Sequence, residues 1–204
     1  MNGQPDRVRQ SFPERNLRGV TVLTPEQQEG LSQLGYSAVV KLSGLTINEL
    51  IAFGYQFNSN GEEGLSPIER GSLSFGEIPS RVSQVAVNPT DPFLADSGLK
   101  SLNEQIILIK KLSEQLSAKV PGVRVVVGHA SDYAELVLRY LADQDVALIR
   151  PNIYARTVTS VGHNVVSVGF DPASSGLILD DWPHRSSGWD LRIFPLIVPS
   201  GKRT

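Results

Sequence analysis

From Val82 onward the chain alternates short apolar runs with capped amphipathic stretches, and this alternation constrains the fold more than any other feature. VSQVAV at 82–87, VRVVV at 123–127 and DVALI at 145–149 are separated by KSLNEQIILIKKLSEQLSAK and SDYAELVLRYLAD. Strands alternating with helices of that length predict βαβαβ units with parallel strands and right-handed crossovers. The runs carry few polar residues, as strands of a sheet covered on both faces do. Ser101 and Glu104 stand in capping-box spacing at the first helix, Asp132 and Glu135 at the second.

Upstream, TPEQQEGLSQLGY opens with Thr24 as N-cap, Pro25 at the first helical position and Gln27 closing a capping box. LSGLTINELIAFGYQF repeats the device with Thr46 and Glu49. Two short capped helices joined by Gly and Ser predict an N-terminal helical lobe over 19–57. Residues 1–18 carry Arg7, Arg9, Arg15 and Arg18 among polar neighbours and read as a flexible basic arm. Residues 58–80 are dense in Gly, Ser, Pro and Asn and read as a loop or linker.

Past Arg150 the helical patterns stop. ARTVTSV, NVVSVGF, GLILDDW and LRIFPLIV are short β runs separated by turn residues. They predict an antiparallel β-meander extending the same sheet, so that 81–204 forms an α/β sheet domain and 19–204 one compact unit. Within it, IFPLIV is apolar on successive positions, and Pro195 and Pro199 suit an edge strand. Such an edge must be covered by the chain itself or by a second copy, which makes a homo-oligomer the second expectation.

Composition removes several chemistries. The chain has no cysteine, which excludes thiolate metal sites, cysteine nucleophiles and disulfides. A net charge of −2 gives no general attraction for nucleic acid. The first residues lack the apolar core of a signal peptide, and no apolar run has membrane-spanning length, so the expectation is a soluble cytoplasmic protein with no membrane partner. GxGxxG, Gly-Lys-Ser/Thr phosphate loops, GxSxG and HExxH are all absent. No cofactor is assigned.

If the central strands are parallel, their C-terminal ends share the edge where open α/β sheets place ligands. The residues gathered there are Asn88, Thr90 and Asp91 after the first run, Gly128, His129, Ser131 and Asp132 after the second, and Arg150, Asn152 and Tyr154 after the third, with Arg156 close in sequence. Gly128 lets the backbone approach a ligand, and a helix starting near Ser131 offers free N–H groups to an anion, with Arg150 opposite. His129, oriented by Asp132 or Asp91, is the candidate general base. Capping by Ser131 or Asp132 alone is the competing explanation for the same turn. His163 falls in a hairpin-turn sequence, VGHNV, which turn geometry explains, whereas His184 lies among Asp180, Asp181, Asp190, Trp182 and Trp189 in a spacing that matches no metal motif.

GHASDYAELV resembles the Gly-Ser-x-Ser-Asp turn of the aminoimidazole ribonucleotide mutases, but His129 replaces the first serine and the family's later Ser-Ala-His-Arg stretch is missing. ALIRPNIYARTV resembles the Arg-Pro-Asp-x-Tyr segment of flavin-dependent aromatic hydroxylases, but Asn152 takes the aspartate position and no flavin fingerprint accompanies it. Neither resemblance assigns a function. The expectation is an α/β protein binding or acting on a small anionic ligand at a strand-end edge.

Overall fold

The computed structural model describes residues 12, 21–58, 73–172 and 176–201. The basic arm therefore lies outside the described residues except at Phe12, as does most of the 58–80 loop. Four helices and two sheets make up the described fold, which is mixed α/β.

The helices begin where their caps dictate. In α1 (Pro25–Gln33), α2 (Ile47–Ala52) and α3 (Leu102–Lys119), the side chains of Thr24, Thr46 and Ser101 accept from the third helical N–H while Gln27, Glu49 and Glu104 reach back to the cap. Each box satisfies two N–H groups that the helix cannot pair itself. Helix α4 (Ala130–Gln144) starts three residues before the Asp132–Glu135 capping-box spacing would place it, with His129 as N-cap and Asp132 at the third position. Residues 130–138 of α4 are all buried, so this helix is the centre of the molecule.

Sheet A has the order β1 (Ala38–Lys41), β3 (Gln84–Val87), β9 (Leu196–Pro199), β4 (Val123–Val126). Every neighbouring pair is antiparallel. The βαβαβ expectation needs correction here: β3 and β4 run in the same direction across the α3 crossover, but β9 lies between them. The third run, DVALI, forms no strand. Asp145 takes a left-handed conformation (φ 53°) at the end of α4, and Leu148 and Ile149 are buried in the core without joining a ladder. Their apolarity reflects burial, which a short run cannot distinguish from strand formation.

The meander does not extend sheet A. It forms sheet B, in the order β2 (Phe57–Asn58), β7 (Gly176–Pro183), β6 (Asn164–Asp171), β5 (Tyr154–Val161), β8 (Leu191–Arg192). The β5–β6–β7 pairs are antiparallel, while β2 and β8 add parallel edges. Val161 pairs with Asn164 across Gly162 (φ 58°) and His163, the two-residue hairpin turn that VGHNV suggests. LRIFPLIV is two strands, because the chain leaves sheet B after Arg192 and enters sheet A at Leu196.

IFPLIV is therefore central rather than an edge. Ile193, Phe194, Leu196, Ile197 and Val198 are buried, and β9 is flanked on both sides by the chain's own strands. Pro195 precedes β9 and Pro199 ends it, positions where a missing N–H costs little.

One core joins both sheets to α4. Val85 and Val87 of sheet A, Val166, Val168 and Leu177 of sheet B, Tyr133, Ala134 and Leu136 to Leu138 of α4, and Leu45, Ile47 and Leu50 around α2 belong to one continuous cluster. The segment expected as a helical lobe thus contributes a strand to sheet A and apolar residues to the common core. A second cluster lies under α1 and α3, where Leu31, Ile109 and Leu116 meet Val123, Val125 and Ile197. Among the described residues, no helix is long and apolar enough to cross a membrane.

Candidate functional site

The turn after β4 leads into α4 at a crowded corner. Gly128 donates its N–H to the Tyr133 hydroxyl (3.2 Å) and accepts from the Val158 N–H of β5 (3.0 Å). A Cβ built on Gly128 would lie 2.6 Å from Leu196 Cδ1 and 3.0 Å from Asp132 Oδ2. Its smallness serves close packing against β9 and α4, and the backbone here faces protein.

Asp132 is 1% exposed, and its carboxylate is filled by three donors. Oδ2 accepts the His129 backbone N–H at 2.6 Å, while Oδ1 accepts the Ser80 hydroxyl at 2.7 Å and the Arg81 N–H at 2.8 Å. Charge-assisted bonds of this kind fix the helix start and tie the 80–81 segment to it. The carboxylate meets the backbone of His129 and makes no hydrogen bond to its ring.

The imidazole is half-buried. Thr159 of β5 accepts from the Ala130 N–H at 2.9 Å, and its Oγ1 lies 3.3 Å from His129 Nδ1. Burial holds the His129 pKa below its ordinary 6.5; the Asp132 charge opposes this shift and the Arg81 charge adds to it. At neutral pH the ring is uncharged. Arg81 is exposed and near enough for its charge to act on the ring.

Ser131, 1% exposed, follows at the second helical position. Its hydroxyl and the Trp182 Nε1 are buried side-chain polar atoms with no hydrogen-bond partner among the described residues. A buried polar group left unpaired costs about 1–3 kcal/mol.

The other expected site residues fall into two separate groups. Asn88 Oδ1 accepts from the Thr90 and Asp91 N–H groups (3.0 and 3.1 Å), and Arg150 Nη2 donates to the Thr90 carbonyl (3.3 Å). These residues lie at the exit of β3, which β9 separates from the exit of β4 by two strand spacings, roughly 10 Å. Among the described residues no hydrogen bond or ion pair joins Arg150 to the α4 corner. Tyr154 opens β5 of sheet B, and Asn152 sits in the turn before it. Asn152 is exposed at φ 61°, and the buried Tyr154 ring packs over Gly169, where a Cβ would come within 2.7 Å of it.

Several residues outside the expected site proved to be buried polar anchors. Arg156 is buried, with Nη1 on the Lys100 carbonyl (3.2 Å) and Gln105 Oε1 (3.3 Å) and Nη2 on the Ser186 carbonyl (2.7 Å), so it joins the start of α3 to the 184–190 loop. Glu135, expected as a cap, holds the 43–45 segment instead. Arg81 and Thr159 reach the α4 corner from distant elements, and nothing local in the sequence marks them. His184 is exposed, and among the described residues no three His, Cys, Asp or Glu side chains come together to hold a metal ion.

Comparison of the chain with protein-family models, curated proteins and solved structures finds no match.

Proposed function

We propose that the protein binds a small anion of the phosphate or carboxylate class at the corner where α4 begins, using His129, Ser131 and Arg81. The observation that carries this reading is the buried, unpartnered Ser131 hydroxyl at the N-terminus of a 15-residue helix. Near it stand an uncharged imidazole and an arginine whose charge acts on that ring, and the helix dipole favours negative charge at the same end. Asp132 caps the backbone, so its role in this reading is to position the corner. Gly128 supports the corner by packing. Asn88, Asp91, Arg150, Asn152 and Tyr154 are peripheral to it.

The reading is one of binding, since the Asp132 carboxylate bonds to the His129 backbone N–H and makes no hydrogen bond to the ring. Self-association through the C-terminal strands has no observation in its favour, because β9 is enclosed by β3 and β4.

The test is a thermal-shift titration with phosphate and with citrate on wild type, Arg81→Ala and Ser131→Ala. Saturable stabilisation of the wild type, lost in Arg81→Ala and weakened in Ser131→Ala, supports the site. An unchanged anion response in Ser131→Ala would make the hydroxyl a packing defect and overturn the reading.

A further inference from the structure

Helix α3 sets one face on the core and leaves the other bare. Leu102, Gln105, Ile109 and Leu116 are buried beneath it, whereas Glu104, Ile107, Lys110, Lys111 and Glu114 are exposed on the opposite side. With about 3.6 residues per turn, Ile107 falls near the middle of that outer face, directly away from the core. Two further apolar side chains, Leu99 and Trp189, stand at the N-terminal end of the helix. Leu99, Ile107 and Trp189 are 70%, 64% and 60% exposed, more than any other large apolar side chain among the described residues. Single exposed apolar residues are ordinary, but the three most exposed ones gathered on and beside one helix make a patch with a use.

The patch is held rigidly. The Leu99 N–H donates to the Gly188 carbonyl at 2.9 Å, so the two segments that carry Leu99 and Trp189 lie side by side. Buried Arg156 ties the same segments together through the Lys100 and Ser186 carbonyls. Leu99 is kept at φ 57°, a left-handed conformation that strains a leucine and persists only where the surroundings impose it.

The charges on this face identify the partner. Glu104 stands three residues before Ile107 and Lys110 three after it, while Lys100 stands seven before and Glu114 seven after. Positions three and seven apart share a helix face with Ile107, so the charge pattern inverts about that residue. From this inversion we infer that the outer face of α3 is a self-association surface, on which a second copy of the chain lays its own α3 antiparallel with the two-fold axis at Ile107. Each Glu104 then faces the other copy's Lys110, each Lys100 lies toward the other copy's Glu114, and Ile107 packs on its symmetry mate. The Ser101 N–H and hydroxyl hold the Glu104 carboxylate in place at 2.8 and 2.7 Å. A parallel arrangement would set like charges against each other, and a purely acidic or purely basic partner would be repelled by half of this face. Leu99 and Trp189 of each copy come beside the second half of the other copy's α3 and extend the apolar contact. The inference does not depend on the anion site at the α4 corner.

Sedimentation of the full chain across the micromolar range tests the inference, and a reversible monomer–dimer equilibrium is expected. Ile107→Glu and Lys110→Glu should each weaken the dimer at least tenfold, and adding Glu104→Lys to Lys110→Glu should restore it. Ile107 and Lys110 are exposed, so melting temperatures close to that of the wild type will show that these variants fold. Because the chain has no cysteine, Ile107→Cys places a lone thiol on the axis, where a disulfide needs Cα atoms within about 7 Å. Mild oxidation should link that variant into dimers while Ala142→Cys, an exposed control on α4, stays monomeric. A wild type that remains monomeric, a dimer that survives Ile107→Glu, or cross-linking of Ile107→Cys no greater than that of Ala142→Cys would overturn the proposal.

Discussion

Replacing Glu135 by alanine should be among the most damaging single changes in this protein. Its carboxylate is fully buried on α4 and accepts from the Ser43 N–H (2.5 Å), the Leu45 N–H (3.0 Å) and Arg139 Nε (2.8 Å). Arg139 also donates to the Ser43 hydroxyl, and its guanidinium stacks 4.3 Å from the centre of the Phe12 ring. Alanine leaves two buried N–H groups and a largely buried guanidinium without their acceptor. Removing one partner of a buried, hydrogen-bonded pair costs about 3–5 kcal/mol. For a chain of this size that corresponds to a fall of ~6–20 °C in Tm.

Urea denaturation followed by tryptophan fluorescence measures the loss directly, since Trp182 is partly covered and Trp189 is exposed. Arg139→Ala should cost less than Glu135→Ala, because its side chain is 15% exposed and its removal leaves the two N–H groups paired. The double variant should cost less than the two single losses added together, with a coupling of about 0.5–3 kcal/mol. A loss below about 1 kcal/mol in Glu135→Ala, or strict additivity in the double variant, would refute the assignment of Glu135 as the anchor of the 43–45 segment.

Tyr133→Phe removes a hydroxyl that donates to the Phe194 carbonyl (2.6 Å) and accepts from the Gly128 N–H (3.2 Å), so chemical denaturation should show a loss of about 2–4 kcal/mol. Gly128→Ala forces its new methyl against Leu196 and Asp132 and should cost about 1–3 kcal/mol, with Leu196→Val partly restoring stability in the same melting assay. Because the His129 pKa is lowered on folding, the unfolded chain takes up a proton that the folded chain resists, and stability falls as pH drops below about 6.5. Above that pH the contribution vanishes. His129→Gln should flatten the decline seen on the acid side, and an identical pH profile for the variant would show that His129 does not cause it.

Signals confined to a few residues were legible in the sequence, and pairings between distant segments were not. Thr24 with Gln27, Thr46 with Glu49, and Ser101 with Glu104 specify helix starts within four residues, and all three form as the spacing predicts. The turn at Gly162 and His163 is equally local. By contrast, LRIFPLIV gives no local sign that its first part pairs with β5 and its last part with β3 and β4. The four residues of β1 stand between two helices with no local mark beyond a pair of adjacent valines. At the candidate site, His129, Ser131 and Asp132 could be found because they are neighbours in sequence. Arg81 and Thr159 could not, because tertiary packing alone brings them there.

The position of β9 has a kinetic consequence. Sheet A has strands from residues 38–41, 84–87 and 123–126, but the strand that joins its two sides is residues 196–199. During synthesis at about 5–20 residues per second, β3 and β4 wait several seconds with a vacant slot between them. In that interval their unpaired backbones are templates for any other extended chain. Closing the slot requires long loops to be brought together before any ladder bonds reward it, which favours slow folding. Once β9 is seated, the same arrangement makes the last strand the keystone of the sheet, so pulling on it should unzip two ladders at once.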